Sequence, residues 1–172
     1  MDRRWVGAVA AALAAVGLVA ALGGFAPAPQ RSTGAGQVIH LARWDLTAHR
    51  AELVDADADG NKTDPAVRVW FTVVNTWTDS QIEPWGLVRV VLPDGTAPDD
   101  ASWQVEGRSG GFDPDVPQEA FLEVDVDPGW TGDRPLTVQV FDEQRSNTPA
   151  PIEVWGRTAA VAVFDLTCED HR

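Results

Sequence analysis

Two short stretches of this 172-residue chain carry residue types that chemistry needs. Asp55-Ala56-Asp57-Ala58-Asp59-Gly60 sets a carboxylate at every second position and ends on glycine. That is the first half of a calcium loop, which wants oxygens at positions 1, 3 and 5, glycine at 6 and a bidentate acid at 12. Counted from Asp55, position 12 is Ala66, and Asp64 falls too early. The closing ligand is missing and the flanks have strand character, so no cofactor is expected, with Ca²⁺ held at most weakly at residues 55–59. Gly107-Arg108-Ser109-Gly110-Gly111 matches the G-x-S-x-G of serine hydrolases, an elbow that must join a strand to a helix so that the hydroxyl stands exposed. Here Phe112-Asp113-Pro114-Asp115-Val116-Pro117 follows, and two prolines oppose a helix. The sequence therefore predicts a glycine-rich loop and assigns no catalytic residue. His40, His49 and His171 lack metal-ligand spacing.

Tryptophan is the other distinctive residue, eight copies with no tyrosine. Trp44 and Trp103 suit a core. Trp70, Val74 and Phe141 fall on the faces opposite the clear inward positions of their strands, and Trp77, Trp85 and Trp130 sit at strand ends or turns. Tryptophan buries a large area with few rotors, which favours it at contact surfaces. Trp70, Val74, Trp77, Trp85, Trp130 and Phe141 are thus the candidate partner surface. The competing expectation is satellite packing around a sandwich.

The elements that must position these residues are strands. After Val38 no helical period of useful length occurs, and short β-rich runs alternate with Pro, Gly and Asp clusters. Trp44–Val54 alternates unevenly, which predicts a long strand with a bulge. In Ala66–Thr76, Val67, Val69, Phe71 and Val73 alternate with Arg68, Trp70, Thr72 and Val74 at period two. Further runs are Leu87–Leu92, Ala101–Glu106, Ala120–Val126, Leu136–Phe141, Ile152–Trp155 and Thr158–Leu166, with Gly156 as a bend or bulge within one long strand. Ala159–Leu166 is apolar enough to predict a strand that is central or buried on both faces. About seven or eight strands with frequent turns argue an all-β, two-sheet antiparallel sandwich, with a closed barrel as the alternative.

Trp44-Asp45-Leu46, then Ala51-Glu52-Leu53-Val54-Asp55, then a polar loop and Val69-Trp70-Phe71-Thr72-Val73-Val74-Asn75-Thr76 resemble the opening of bacterial immunoglobulin-like extracellular domains of membrane-anchored proteins. In those domains a strand ending in Val-x-Asn-x pairs with the first strand across a variable loop. The resemblance covers about thirty residues and lacks the Cys…Trp…Cys spacing of antibody domains. It implies an immunoglobulin-like β-sandwich that binds or supports rather than catalyses, and it carries over no functional residue.

The chain opens with Arg3-Arg4 before an uncharged run from Trp5 to Ala26. A bilayer core of about 30 Å needs roughly 20 apolar helical residues, and positive charge stays inside. The expected organisation is a short cytoplasmic N-terminus (1–4), a transmembrane signal-anchor helix (5–26), a flexible spacer (27–37) and one extracytoplasmic domain (38–172). Cleavage after Ala26-Pro27-Ala28, giving a secreted protein, is the alternative; Pro29 would follow the cut, and the apolar run exceeds a typical signal peptide. The net charge of −13 opposes nucleic-acid binding, which needs a basic stripe. Cys168 is the only cysteine and, ending an apolar run, is expected to be buried. The expected function is a single-pass accessory or interaction module of a bacterial cell membrane. Its partner would be another envelope protein, as in a transporter complex, or cell-wall polymer. A Ca²⁺- or glycan-binding module and a small hydrolase are the alternatives. The incomplete calcium loop predicts a melting temperature unchanged by EDTA or by millimolar Ca²⁺; a Ca²⁺-dependent rise of several degrees in a thermal scan would reverse that assignment.

Overall fold

The computed structural model describes residues 34–56, 62–106, 111–145 and 155–172. The expected membrane helix at 5–26, Asp57, Asp59 and Ser109 lie outside the described residues. Among the described residues, no helix is long and apolar enough to cross a membrane. Nine strands are described: β1 (Val38–His40), β2 (Trp44–Ala56), β3 (Lys62–Asn75), β4 (Val88–Val91), β5 (Ser102–Val105), β6 (Gln118–Asp125), β7 (Leu136–Arg145), β8 (Trp155–Leu166) and β9 (Cys168–Asp170). They make an all-β sandwich of two sheets. The larger runs β1-β2-β3-β6-β5, and the smaller is β4-β7-β8. β1 pairs with Asp45–Thr47 and β9 with Ala51–Leu53, so the two short strands share one edge of β2 end to end. The β2–β9 pair is parallel; the other strand pairs are antiparallel.

Period-two patterning sets the layers, because successive strand residues face opposite sides. Val67, Val69, Phe71 and Val73 of β3 are fully buried, as are Leu46 and Leu53 of β2 and Val138 and Val140 of β7. Leu122 and Val124 of β6, Val90 of β4 and Phe164 of β8 join the same core. The expected bulge lies in β2. Ala48 pairs with Phe71 and Arg50 with Trp70, leaving His49 as the extra residue. That insertion keeps both Ala48 and Ala51 inward and swings Arg50 to the outer face beside Trp70.

Three differences from the sequence expectation have physical reasons. The short strands β1 and β9 carry too few residues to show a period; β1 occupies the first residues of the expected domain and β9 its last. Residues 34–37, the end of the expected spacer, form a turn, and the Gly36 N–H donates to the Ala48 carbonyl at 2.7 Å. Among the described residues Ala159–Leu166 is neither central nor doubly buried: β8 pairs with β7 alone, and Ala159 and Asp165 are exposed. Ala162, Phe164 and Leu166 face the core, while the alternate positions hold the half-buried Val163 and the exposed Asp165.

The two sheets are tied at one end by Asn75, the last residue of β3, which is completely buried. Its Nδ2 donates to the carbonyls of Asp79 (2.8 Å) and Phe112 (2.9 Å), and its Oδ1 accepts the Trp77 N–H at 2.9 Å. Its backbone carbonyl accepts the Asp115 N–H at 2.8 Å. One amide therefore organises both the segment that leaves β3 and the segment that precedes β6. Gln81 and Phe112 bridge those segments with two backbone bonds, and the Phe112 ring meets Trp44 edge-on at 5.5 Å. Gly111 permits this approach: a Cβ there would collide with the Gln81 carbonyl oxygen. Asn75→Ala removes the side-chain partner of three backbone groups; the bond to Phe112 is buried, those to Trp77 and Asp79 are partly buried, and a buried group left unsatisfied costs about 1–3 kcal/mol. Chemical denaturation is expected to show a loss of about 1–3 kcal/mol; a loss below about 1 kcal/mol would mean that water replaces the amide.

Candidate functional site

The six residues of the expected partner surface separate into three places. Trp70 and Val74 lie on the outer face of the larger sheet, where Trp70 is enclosed by its own neighbours. The Arg50 guanidinium carbon sits 4.5 Å over the Trp70 ring, and the Phe121 ring lies 4.9 Å away. Trp70 Nε1 donates to Glu52 at 2.8 Å, and Arg50 reaches the other oxygen of the same carboxylate at 2.6 Å. In the next row, Arg68 binds Glu123 at 2.7 Å and covers Phe121 at 4.9 Å. Partial burial raises the Glu52 carboxyl, but the Arg50 and Trp70 hydrogen bonds outweigh it and hold the group below its ordinary value. These are cross-strand pairs of the kind that stabilise a sheet, with charges and rings already matched.

Trp130 packs at the β9 side of the sandwich. Space for a Cβ at Gly132 is bounded by Trp130, Leu53 and Cys168, and Arg172 Nη1 donates to the Trp130 carbonyl at 3.2 Å. Cys168 is buried here as expected. Burial pushes its thiol up to about 11, with Asp170, Glu52 and Glu169 adding to the shift. Trp130 thus belongs to satellite packing, and the thiol is chemically quiet.

Trp77, Trp85 and Phe141 come together, and they gather residues that the sequence did not single out. The segment 76–87 leaves β3 in the larger sheet, crosses to the smaller sheet and enters β4. Along it, Trp77 meets Trp155 edge-on at 5.5 Å. The Arg43 guanidinium covers the other approach to Trp155 at 4.5 Å. It also grips Glu143 with two bonds of 2.6 and 2.7 Å and Gln81 at 3.1 Å. Arg157 lies 4.3 Å over the Phe141 ring, and its Nη1 donates to the Gly86 carbonyl at 3.3 Å. Phe141 itself is buried under that stack, so it supports the surface rather than forming it. Trp85 stands out at 78% exposure and Ile82 at 85%.

Around Trp85 two cavities adjoin. One, of about 320 Å³, opens between β4 and β5 and is lined by Arg89, Val90, Trp103 and Arg157. The other, of about 280 Å³, lies between Trp85, Glu143, Trp155 and Arg157. Trp85, Gly86 and Arg157 line both, making one continuous groove along an open flank of the sandwich. The larger sheet extends beyond the smaller one on this side, which leaves Trp103 half-covered against Phe71 at 5.3 Å. Trp155 met the same strand-end criterion as Trp77 and could have been chosen from the sequence. Arg43 could not, because its carboxylate partner is 100 residues away.

No family model matches the chain, and no curated protein matches it. Among solved structures, the chain is similar to an uncharacterised β-sandwich protein from Clostridium difficile 630. The TM-score is 0.52 at 11% identity, over 81% of this chain and 97% of the other. That likeness shows a β-sandwich fold.

The Arg43–Glu143 pair underlies the groove floor, with side-chain exposures of 17% and 7%. Removing one member of a buried pair leaves an uncompensated charge. Arg43→Ala is expected to cost about 3 kcal/mol, and adding Glu143→Gln to recover part of that loss. A double-mutant cycle by urea denaturation measures the coupling; a coupling energy near zero would mean that solvent screens the pair.

Proposed function

We propose that this chain is a non-catalytic binding module of a bacterial envelope, an immunoglobulin-like sandwich held at the outer face of the cell membrane by the apolar segment 5–26. The observation that carries the reading is Trp85, a large ring left exposed at the rim of a groove whose floor is rigidly built. Large exposed apolar side chains beside a concave surface mark contact sites. The floor supports this because Arg43, Glu143 and Trp155 lock one another, so a partner meets a preorganised surface and little ordering cost opposes binding. The described arginine–carboxylate pairs at Arg43, Arg50 and Arg68 are spent on holding the scaffold, which suits support and recognition. The segment preceding residue 34 supplies the tether: Arg3 and Arg4 remain inside, and the sandwich projects from the surface to engage another envelope component.

Photocrosslinking in the native host tests this. A benzoylphenylalanine placed at position 82 is expected to give one discrete adduct, from a protein that stays in the carbonate-washed membrane pellet. Trp85→Ala is expected to abolish that adduct while leaving the protein in the pellet. Absence of an adduct, or recovery of the protein from the medium, would overturn the reading.

A further inference from the structure

The groove offers more than an aromatic rim. Its floor includes a strand edge, and its charge is opposite to that of the molecule. β4 pairs with β7 through Val88↔Val140, Arg89↔Gln139 and Val90↔Val138. The Phe141 N–H donates to the Leu87 carbonyl, so Leu87 and, two residues on, Arg89 turn their backbone groups toward β7. By the alternation of an antiparallel ladder, the N–H and C=O of Val88 and Val90 then point the other way. That direction is the groove: Val88 and Val90 line it, and Trp103 of β5 lies across from them. Among the described residues β4 has no second strand neighbour.

Charge gives the second observation. The chain has a net charge of −13, and Arg43, Arg50, Arg68 and Arg172 are bound to carboxylates. Arg89 and Arg157 are different. Both line the groove, both are exposed, and neither has an ion pair among the described residues. Arg157 is held in place by Phe141 and Gly86, with its remaining N–H groups available. Asp99 is the one carboxylate of the same lining, so the lining stays net positive. In the adjoining cavity, Glu143 is already neutralised by Arg43.

We infer that the groove takes an extended acidic peptide segment, which adds to the free edge of β4 as a fourth strand and places a carboxylate on Arg89 and Arg157. Strand addition draws affinity from main-chain bonds and specificity from pockets for alternate side chains. Here Trp85 and Trp103 supply the apolar walls and the two arginines supply the charge. The added strand would cover the part of the larger sheet that β4 leaves open. This rests on the binding reading above and narrows it to one ligand class.

The test uses the full chain in detergent micelles and four probes. These are a seven-residue capped peptide alternating valine and threonine with one central glutamate, its glutamine counterpart, the glutamate peptide N-methylated at alternate backbone positions (odd or even, in two versions, one for each register), and a hexamer of N-acetylglucosamine. Trp fluorescence and amide chemical shifts report binding. The glutamate peptide is expected to bind roughly tenfold more tightly than its glutamine counterpart, the advantage of a charge-assisted hydrogen bond. One of the two N-methyl registers is expected to lose binding. Arg89→Gln, an exposed position with no ion pair to break among the described residues, is expected to erase most of the glutamate preference while leaving the melting temperature unchanged. Equal binding of glutamate and glutamine peptides, insensitivity to N-methylation in both registers, or binding of the saccharide alone would overturn the inference. If no probe binds while the position-82 adduct persists in cells, the peptide class fails and the binding reading stands; if the adduct is absent as well, both fail.

Discussion

A buried amide whose donors and acceptor are directed at loop backbone is a strong constraint, because a lost partner inside the fold is costly to replace. Asn75 imposes that constraint here. Its side chain fixes the start of the crossing from the larger sheet to the smaller one, and through Phe112 it fixes the approach to β6. Every component of the groove follows from this. The crossing places Trp77 against Trp155 and Gln81 against Arg43, and its continuation delivers Trp85 to the rim and Val88 to the edge of β4. The site is a loop in sequence terms, yet it is held like part of a sheet.

The two aromatic surfaces show how the same residue types lead to opposite outcomes. Trp70 has a cation above it, a ring beside it and a carboxylate on its indole N–H. The ring and its N–H are already engaged within the sheet. Around Trp85 the matching is incomplete. Arg157 is stacked but lacks a carboxylate partner among the described residues, and Trp85 projects from the rim. Recognition surfaces arise where intramolecular pairing stops, rather than where aromatic residues are merely abundant.

Much of this architecture was legible in the residues. The alternation around Phe71 set the inward face of β3, and the uneven pattern at His49 announced the bulge, because a two-residue period is insensitive to distant contacts. Sheet partners were not legible. The run Ala159–Leu166 has the composition of a central strand, and only its pairing shows that it lies at an edge among the described residues. Of the proposed surface, Trp77 and Trp85 were found by their place at strand ends. Trp70 and Trp130 met similar criteria, but Arg50 and Glu52 engage the first and the core packs against the second, partners that alternation or sequence distance conceals. Arg43 and Glu143 gave no local signal, since the interaction that defines them closes a separation of 100 residues.

The passage from β8 to β9 has a consequence for how the chain acquires its structure. After Leu166 the chain leaves the smaller sheet and lays Cys168–Asp170 alongside Ala51–Leu53 of the larger one, in parallel. The edge of β2 is therefore completed by residues made more than a hundred positions later. During synthesis, which proceeds from the N-terminus, β2 and β3 can form their hairpin early, but half of the β2 edge stays open until residue 170 has emerged. Contacts so distant in sequence close slowly. Until those residues pair, the β2 edge at Ala51–Leu53 offers unpaired N–H and C=O groups to any other strand, so the closing step also guards against edge-to-edge association.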